Sequence, residues 1–403
     1  MKRGSSEYTR VALSFLAAGI ATFAMLYDTQ PLFPIFSNQF HISPAVSSLS
    51  LSLTTIFLAI SLPIAGAISD AYGRKKIMLV SVLASLISCG LTVFSPNFTA
   101  LLVLRSVQGI ALAGLPATAM AYLSEEVERG SLGFAMGLYI AGNTIGGLSG
   151  RLVVSFIVDV ASWRWAIGGI AIISLLMGLY FWRNLPNSKH FSPKATGVRA
   201  LRRSLGDPFR DIGLVYLFLI GGLLMLGFVT LYNFMGFRLL QAPYHFSQSL
   251  VGLIFLVYLA GTFSSSFMGR VADHVGRRKV LWLNIFIMAT GASVTLAHNI
   301  LWIILGTILF TFGFFGGHST ASSWVGNRAK SGKGQASALY LLFYYVGSSL
   351  AGPFGGLLWS YRAWNGVVVL ILAAVGLSFV ISIVLAMTAT AQVNAVKTPQ
   401  VRG

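Results

Sequence analysis

One short sequence occurs twice in this chain at a constant offset: GAISDAYGRKK from Gly66 and GRVADHVGRRK from Gly269. Gly66, Asp70, Gly73, Arg74, Lys75 and Lys76 in the first copy match Gly269, Asp273, Gly276, Arg277, Arg278 and Lys279 in the second. Each copy joins the second and third apolar stretch of its half. A second repeat, GNTIGGLSG from Gly142 and GSSLAGPFGG from Gly347, falls in the fifth stretch of each half. A chain with this register is an internal duplication, and whatever one half folds into the other must reproduce.

The solvent of that fold follows from composition. Hydrophobic residues make up 56% of the 403 residues and charged ones 9%, with a mean hydropathy of +0.78. Soluble domains carry roughly 25% charged residues, so this chain could not cover a water-facing surface. A spanning helix takes about 20 apolar residues. The sequence predicts an all-α integral membrane fold of about twelve spans, at 11–36, 47–69, 77–95, 98–122, 132–158, 164–183, 212–238, 247–269, 280–298, 300–325, 335–359 and 365–388. The longest polar stretch, Asn184 to Asp211, divides it into pseudo-symmetric six-helix bundles at 1–183 and 212–403, with 184–211 as a linker loop. Parallel duplication of a six-span unit is a transporter architecture, with the substrate site near mid-membrane.

The net charge of +18 does not point to nucleic acid. The basic residues sit in short clusters between apolar stretches, as positive-inside loops do. If the N-terminus is cytoplasmic, the inner loops hold Lys2, Arg3, Arg74 to Lys76, Arg129, the linker's Lys189, Lys194, Arg199, Arg202, Arg203 and Arg210, Arg277 to Lys279, Arg328, Lys330 and Lys333. The outer loops hold little beyond Arg164 and Arg362. Both termini are therefore expected in the cytoplasm. The first apolar run continues through Asp28, Gln30, Pro31 and Pro34 without a small-residue cleavage site, so it reads as an uncleaved span. The single cysteine, Cys89, reads as a buried small side chain and excludes an internal disulfide or a cysteine metal cluster.

These residues resemble the major facilitator superfamily. The loop matches its signature G-x-x-x-D-x-x-G-R-[RK]-[RK] in both halves. LRSVQG, from Leu104 to Gly109, is similar to the family's R-x-x-Q-G motif. Gly142, Gly146, Gly147 and Gly150 resemble the fifth-span motif of proton-coupled antiporters, although Gly147 stands where a proline is usual and Arg151 where a glycine is common. LSEE, SGRL, GNRAKSGKGQASALY and YYVGSSLAG are similar to the YnfM-type branch of twelve-span drug:proton antiporters. The resemblance implies a multi-pass protein of the bacterial cytoplasmic (inner) membrane, working in the bilayer as a monomer. It implies no cofactor and no metal, with a proton gradient as driving force.

Asp28 is the one acid placed well inside a predicted span. A charged carboxylate there costs about 2.5–3.5 kcal/mol on insertion scales, which suits a side chain that exchanges a proton. A capping acid at the disruption made by Pro31 and Pro34 is the plainer alternative. The resemblance implies that Arg105, with Gln108 one turn on, senses the protonation of a nearby acid, and Asp28 is the partner available. Arg151 is a candidate for substrate binding or for locking the outer gate. His318 is a candidate for substrate binding or titration. Tyr27, Tyr232, Asn233, Phe237, Tyr258, Tyr340 and Tyr344 supply aromatic and amide groups at expected cavity faces, with core packing as the alternative for each. Three intramembrane arginines (Arg238 is the third) and a histidine against one aspartate favour an anionic or zwitterionic substrate over a lipophilic cation. The resemblance also implies a latch. Asp70 would dock on the start of the eleventh helix near Gly334 and Gln335, where a helix dipole favours a carboxylate. Arg74 would bind Glu125 or Glu126 at the inner end of the fourth span. The repeated Gly66, Gly73, Gly269, Asp273, Gly276 and Arg277 and the glycines of the fifth span would take part in gating.

The expected function is therefore proton-coupled export of small amphiphilic drugs or metabolites. The alternative is an uptake symporter for a sugar or organic anion, separated from it by the direction of substrate flux in a pH gradient. An enzyme is not expected, because the apolar segments hold no metal cluster, no Ser-His-Asp set and no nucleotide loop. A channel suits two latched six-span halves less well than alternating access does.

Overall fold

A computed structural model of the chain describes residues 1, 4–188, 190–191, 206–329 and 332–397. The basic residues Lys2, Arg3, Lys189, Lys194, Arg199, Arg202, Arg203 and Lys330 lie outside the described residues. Every element among those described is helical. The first half comprises α1 (Ser6–Tyr27), α2 (Phe33–Gln39), α3 (Pro44–Tyr72), α4 (Arg74–Thr92), α5 (Phe98–Leu112), α6 (Gly114–Glu126), α7 (Arg129–Val160) and α8 (Trp163–Asn184). The second comprises α9 (Ile212–Leu240), the short α10 (Gln248–Gly252), α11 (Tyr258–Val275), α12 (Arg277–Val294), α13 (Ile300–Arg328) and α14 (Lys333–Lys397).

Among the described residues ten helical stretches are long and apolar enough to cross a bilayer. One of them, Lys333–Met387, holds the predicted eleventh and twelfth spans, parted at Arg362 and Ala363, where Ala363 has φ +46°. The predicted ninth span is α12, which starts at Arg277 and is not among the ten. Side chains such as Leu83, Ile87, Leu91, Val103 and Val107 are about half exposed on helix surfaces, as apolar groups facing lipid would be.

The repeated loop explains its own glycines. α3 ends and α4 begins at Gly73, with φ +104°, and α11 ends and α12 begins at Gly276, with φ +98°. A side chain is disfavoured at such φ, so glycine reverses the chain directly from one helix into the next.

The chain divides into two compact units. One contains Met1–Leu201, Tyr232–Leu256 and Ser349–Ala363. The other contains Arg202–Leu231, Val257–Ser348 and Trp364–Gly403. In the first unit, α1 runs along α7 at backbone contact. Gly142, Gly146 and Gly150, four residues apart on one face, abut the backbone of Leu16, Ile20 and Ala24, also four apart. Small residues at this spacing let two spanning helices approach closely. The core beside this seam is aromatic: Phe15 meets Tyr122, Tyr139 and Phe181 at centroid distances of 5.5, 6.0 and 5.8 Å. Segments of later helices complete this unit, with Gly352 and Gly356 of α14 against Ser48, Ser52 and Ala45 of α3.

In the second unit, Gly347 repeats the seam by abutting the backbone of Gly222 on α9. The start of α9 is tied to the end of α13 by a two-pronged ion pair. Arg328 Nε and Nη2 donate to the Asp211 carboxylate at 2.8–3.0 Å, and the Gly213 amide adds a further bond at 2.9 Å. Burial alone would raise Asp211, but the hydrogen bonds and charge of Arg328, with the amide bonds, hold it below the usual carboxylate range. A carboxyl depressed on folding stabilises the fold at pH above its unfolded value of about 3.9, and that contribution is lost as pH falls through the folded value. In thermal unfolding of the detergent-solubilised protein, wild type should exceed Asp211→Asn by a constant margin above about pH 5. The margin should close below about pH 4. A margin that grows in acid would refute the assignment.

Candidate functional site

Helix α1 stops at Tyr27, and a short 3-10 turn over Gln30–Leu32 joins it to α2. Pro31 and Pro34 deny the next turns their backbone donors, so the helix cannot run straight on. The break carries three buried polar side chains, Asp28, Thr29 and Gln30, each fully or almost fully enclosed.

Asp28 meets Arg105. Its Oδ1 lies 2.9 Å from Arg105 Nη1. The hydrogens of that nitrogen go elsewhere, to the Met25 carbonyl at 3.0 Å and to Gln108 Oε1 at 2.7 Å. Arg105 Nε donates to the Ser50 carbonyl and Nη2 to the Leu26 carbonyl, at 3.0 and 2.9 Å. The guanidinium is thus anchored to α1 and α3 without help from the carboxylate. Asp28 has the opposite status: Oδ1 is in charge contact but accepts no aligned hydrogen bond. Oδ2 accepts from the Cys89 thiol at 3.8 Å, a weak donor, and the Thr29 amide also faces the group. The predicted partnership of Asp28, Arg105 and Gln108 is present. The contact of Cys89 with it was not foreseen, since a lone cysteine in an apolar run carries no signal of what it touches.

Gln30 meets Arg151. Arg151 Nε donates to Gln30 Oε1 at 2.6 Å and Nη1 donates to the Gly147 carbonyl. The guanidinium lies over the Tyr27 ring at 3.9 Å and near the Phe255 ring at 5.2 Å. Gln30 Nε2 in turn donates to Asn233 Oδ1 at 2.7 Å, and the neighbouring Tyr232 stacks on Phe255 at 5.5 Å. Gly147 faces this cluster, unlike its neighbours on the α1 seam: a Cβ there would meet Arg151 and Tyr27. Phe237 packs elsewhere in the same unit, against Phe234 and Trp359 at 5.9 and 5.8 Å. At the far end of α7, Asp159 accepts from the amides of Gln248 and Ser249 at 2.9 and 2.8 Å, which caps α10.

The other predicted binding residues form a group in the second unit. His318 Nδ1 lies 2.9 Å from Tyr340 Oη, and the imidazole sits 4.7 Å from the Tyr344 ring and 5.9 Å from Phe314. Tyr258 packs against Phe228 and Phe315 at 5.4 and 5.9 Å.

At the basic end of the first unit, Arg74 pairs with Asp70 on its own loop. It also binds Glu125 through Nε and Nη2, at 2.9–3.4 Å. Glu126 turns away from Arg74 and accepts from the His190 amide at 2.9 Å, with the imidazole at 3.2 Å. In the second copy Arg277 reaches Asp273 at 3.4 Å. The fourth span ends in Glu125 and Glu126, but α13 ends in Arg328, which is engaged by Asp211. A Cβ at Gly66 would meet nothing within 4 Å and one at Gly269 only Ser319 Oγ, at 3.9 Å, so packing around a Cβ does not require glycine at either position in this conformation.

An all-helical fold with duplicated spanning helices, and polar clusters at the break of its first one, is that of a membrane transporter. The family model described as Major Facilitator Superfamily matches residues 11–257 and 217–401. The MFS-type transporter YybF of Bacillus subtilis (strain 168), described as uncharacterized, is 50% identical over 368 residues, covering 91% of each chain. The inner membrane transport protein YnfM of Escherichia coli (strain K12) is 43% identical over 367 residues, covering 91% of this chain and 88% of that one. A crystal structure of a mutant of the nucleoside transporter NupG superposes with a TM-score of 0.77 over 94% of this chain and 99% of that one, at 13% identity. The chain belongs to the major facilitator superfamily, in a YnfM-like branch.

Proposed function

We propose that this protein is a proton-coupled exporter of small amphiphilic compounds bearing an anionic or zwitterionic group. Asp28 is its proton site and Arg105 the fixed counter-charge beside it. The observation that carries this reading is the asymmetry of the pair. Arg105 is satisfied by four carbonyl groups, whereas Asp28 is enclosed with one oxygen lacking an aligned hydrogen bond. A carboxylate so poorly supported in a low-dielectric setting gains by taking a proton. Protonation then cancels the charge contact with Arg105 without loosening the guanidinium.

In this reading the termini face the cytoplasm, the six-span halves 1–183 and 212–403 rock about the bilayer midplane, and the protein works as a monomer without a cofactor. The Arg74–Glu125 pair, with Asp70 also on Arg74, holds the cytoplasmic side shut in one of the two states. The aromatic groups around Arg151 are one set of substrate contacts in the first unit, and those around His318 are a second set in the other.

Purified protein in liposomes, with an imposed pH gradient and a panel of carboxylate, neutral and cationic amphiphiles, tests this. Substrate should move opposite to the proton flux, with carboxylates or zwitterions preferred. Co-directional movement would establish the uptake symporter instead. A preference for quaternary ammonium dyes would end the anionic-substrate reading.

A further inference from the structure

Arg151 heads a hydrogen-bond chain whose direction is fixed by chemistry. A guanidinium donates and never accepts. Because Arg151 Nε donates to Gln30 Oε1, the Gln30 amide must turn its oxygen to Arg151 and its nitrogen to the other side. That nitrogen is spent on Asn233 Oδ1. The Asn233 amide is thereby oriented too, and its Nδ2 is left buried with no hydrogen-bond partner. Arg151, Gln30 and Asn233 are 2%, 3% and 1% exposed, so that donor is shielded from bulk solvent. Buried donors are almost always paired in native proteins. This one ends a chain polarised from its head by a cation, which strengthens it toward an anionic acceptor. The ring of Tyr232, next to Asn233 in sequence, stacks on Phe255, which lies 5.2 Å from the Arg151 guanidinium.

We infer that Asn233 Nδ2 is the donor that recognises substrate, that Gln30 is a positioning residue setting its polarity, and that the group recognised is the carboxylate of an amphiphile. The inference rests on the proposed function for there being a transported amphiphile, and is independent of proton coupling. Gln30 and Arg151 belong to the first six spans and Asn233 to the seventh. A movement parting those helices therefore opens the chain at the Gln30–Asn233 bond and exposes both amides.

The polarity can be reversed by one atom. In Gln30→Glu, the carboxylate still accepts from Arg151 but must also accept from Asn233. The Asn233 amide then turns over and presents its oxygen. Asn233→Asp presents an acceptor by the opposite route, with Gln30 unchanged. Gln30→Met keeps the length and removes the relay.

Equilibrium binding to the purified full chain in detergent, without a pH gradient, is the test. The probes are 4-phenylbutyrate and 4-phenylbutylamine, which share an apolar body. Wild type should prefer the carboxylate by about tenfold or more, the effect of one hydrogen bond to a charged group. Gln30→Glu and Asn233→Asp should each swing the preference to the amine, and Gln30→Met should bring the two probes close to parity. A purely structural Gln30 would weaken both probes alike. The inference is overturned if wild type binds neither probe or shows no carboxylate preference. It is also overturned if whichever of the two polarity-reversing variants folds keeps the wild-type order. If binding follows the expected pattern while no proton-driven flux is found, the coupling reading fails and this one stands.

Discussion

Asp28→Asn should yield a folded, membrane-inserted protein that no longer concentrates substrate against its gradient in a pH-driven liposome assay. The side chain keeps its shape and loses its ability to exchange a proton. Removing one partner of a buried pair typically costs about 3–5 kcal/mol, because the other charge is left unsupported. Here the remaining charge is supported. Arg105 retains the Ser50, Met25 and Leu26 carbonyls and Gln108, so the loss should lie at or below the lower end of that range. Arg105→Ala should be the more damaging change to the fold, since it orphans those acceptors and leaves Asp28 without a counter-charge. Thermal unfolding should rank wild type above Asp28→Asn and Asp28→Asn above Arg105→Ala. Uphill transport by Asp28→Asn at the wild-type rate would remove this residue from the coupling mechanism.

The second large effect is on folding. Gly146→Val should abolish recovery of monodisperse protein, because even its Cβ would overlap the Ile20 backbone. The clash is between two main chains, which cannot yield as a side chain can. Ordinary overpacking costs about 1–3 kcal/mol, and two helices forced apart along their seam should exceed that. Gly147→Ala is the control. Its methyl would meet Arg151 Nη1 at 3.3 Å and the Tyr27 ring at 3.8 Å, both movable groups. That variant should fold with near-normal thermal stability and bind substrate less well. Equal recovery of both variants would show that the α1–α7 seam is not as tight as described.

The sequence was legible where one residue type had one structural use. Gly73 and Gly276 recur because only glycine suits their positive φ, and Asp28 and Arg105 stood out as ionisable groups in hydrocarbon-length segments. The apolar runs located the spans because lipid imposes the same requirement on each. Other features carried no such mark. Gln30 looked like one more polar residue in a proline-disrupted turn, and its orientation is dictated by Arg151, 121 residues away. Asp211 and Arg328 are 117 residues apart and read separately as loop charges. The fifth-span glycines were expected to gate. Three of them line a packing seam and the fourth faces Arg151, a distinction that depends on which side of α7 meets α1.

The cap that Asp159 places on α10, together with the Gln30–Asn233 bond, bears on how fast the molecule can cycle. They link the first six spans to the seventh and eighth through one amide–amide bond, worth about 0.5–1.5 kcal/mol net, and two bonds to a carboxylate, about 1.5–3 kcal/mol each. A clasp of that strength can be released and remade by thermal motion within the microsecond-to-millisecond range of collective helix movements. A junction of interlocked leucines at the same place would hold longer than a turnover allows. At these two points the joint is polar, so turnover need not wait for these bonds to come apart.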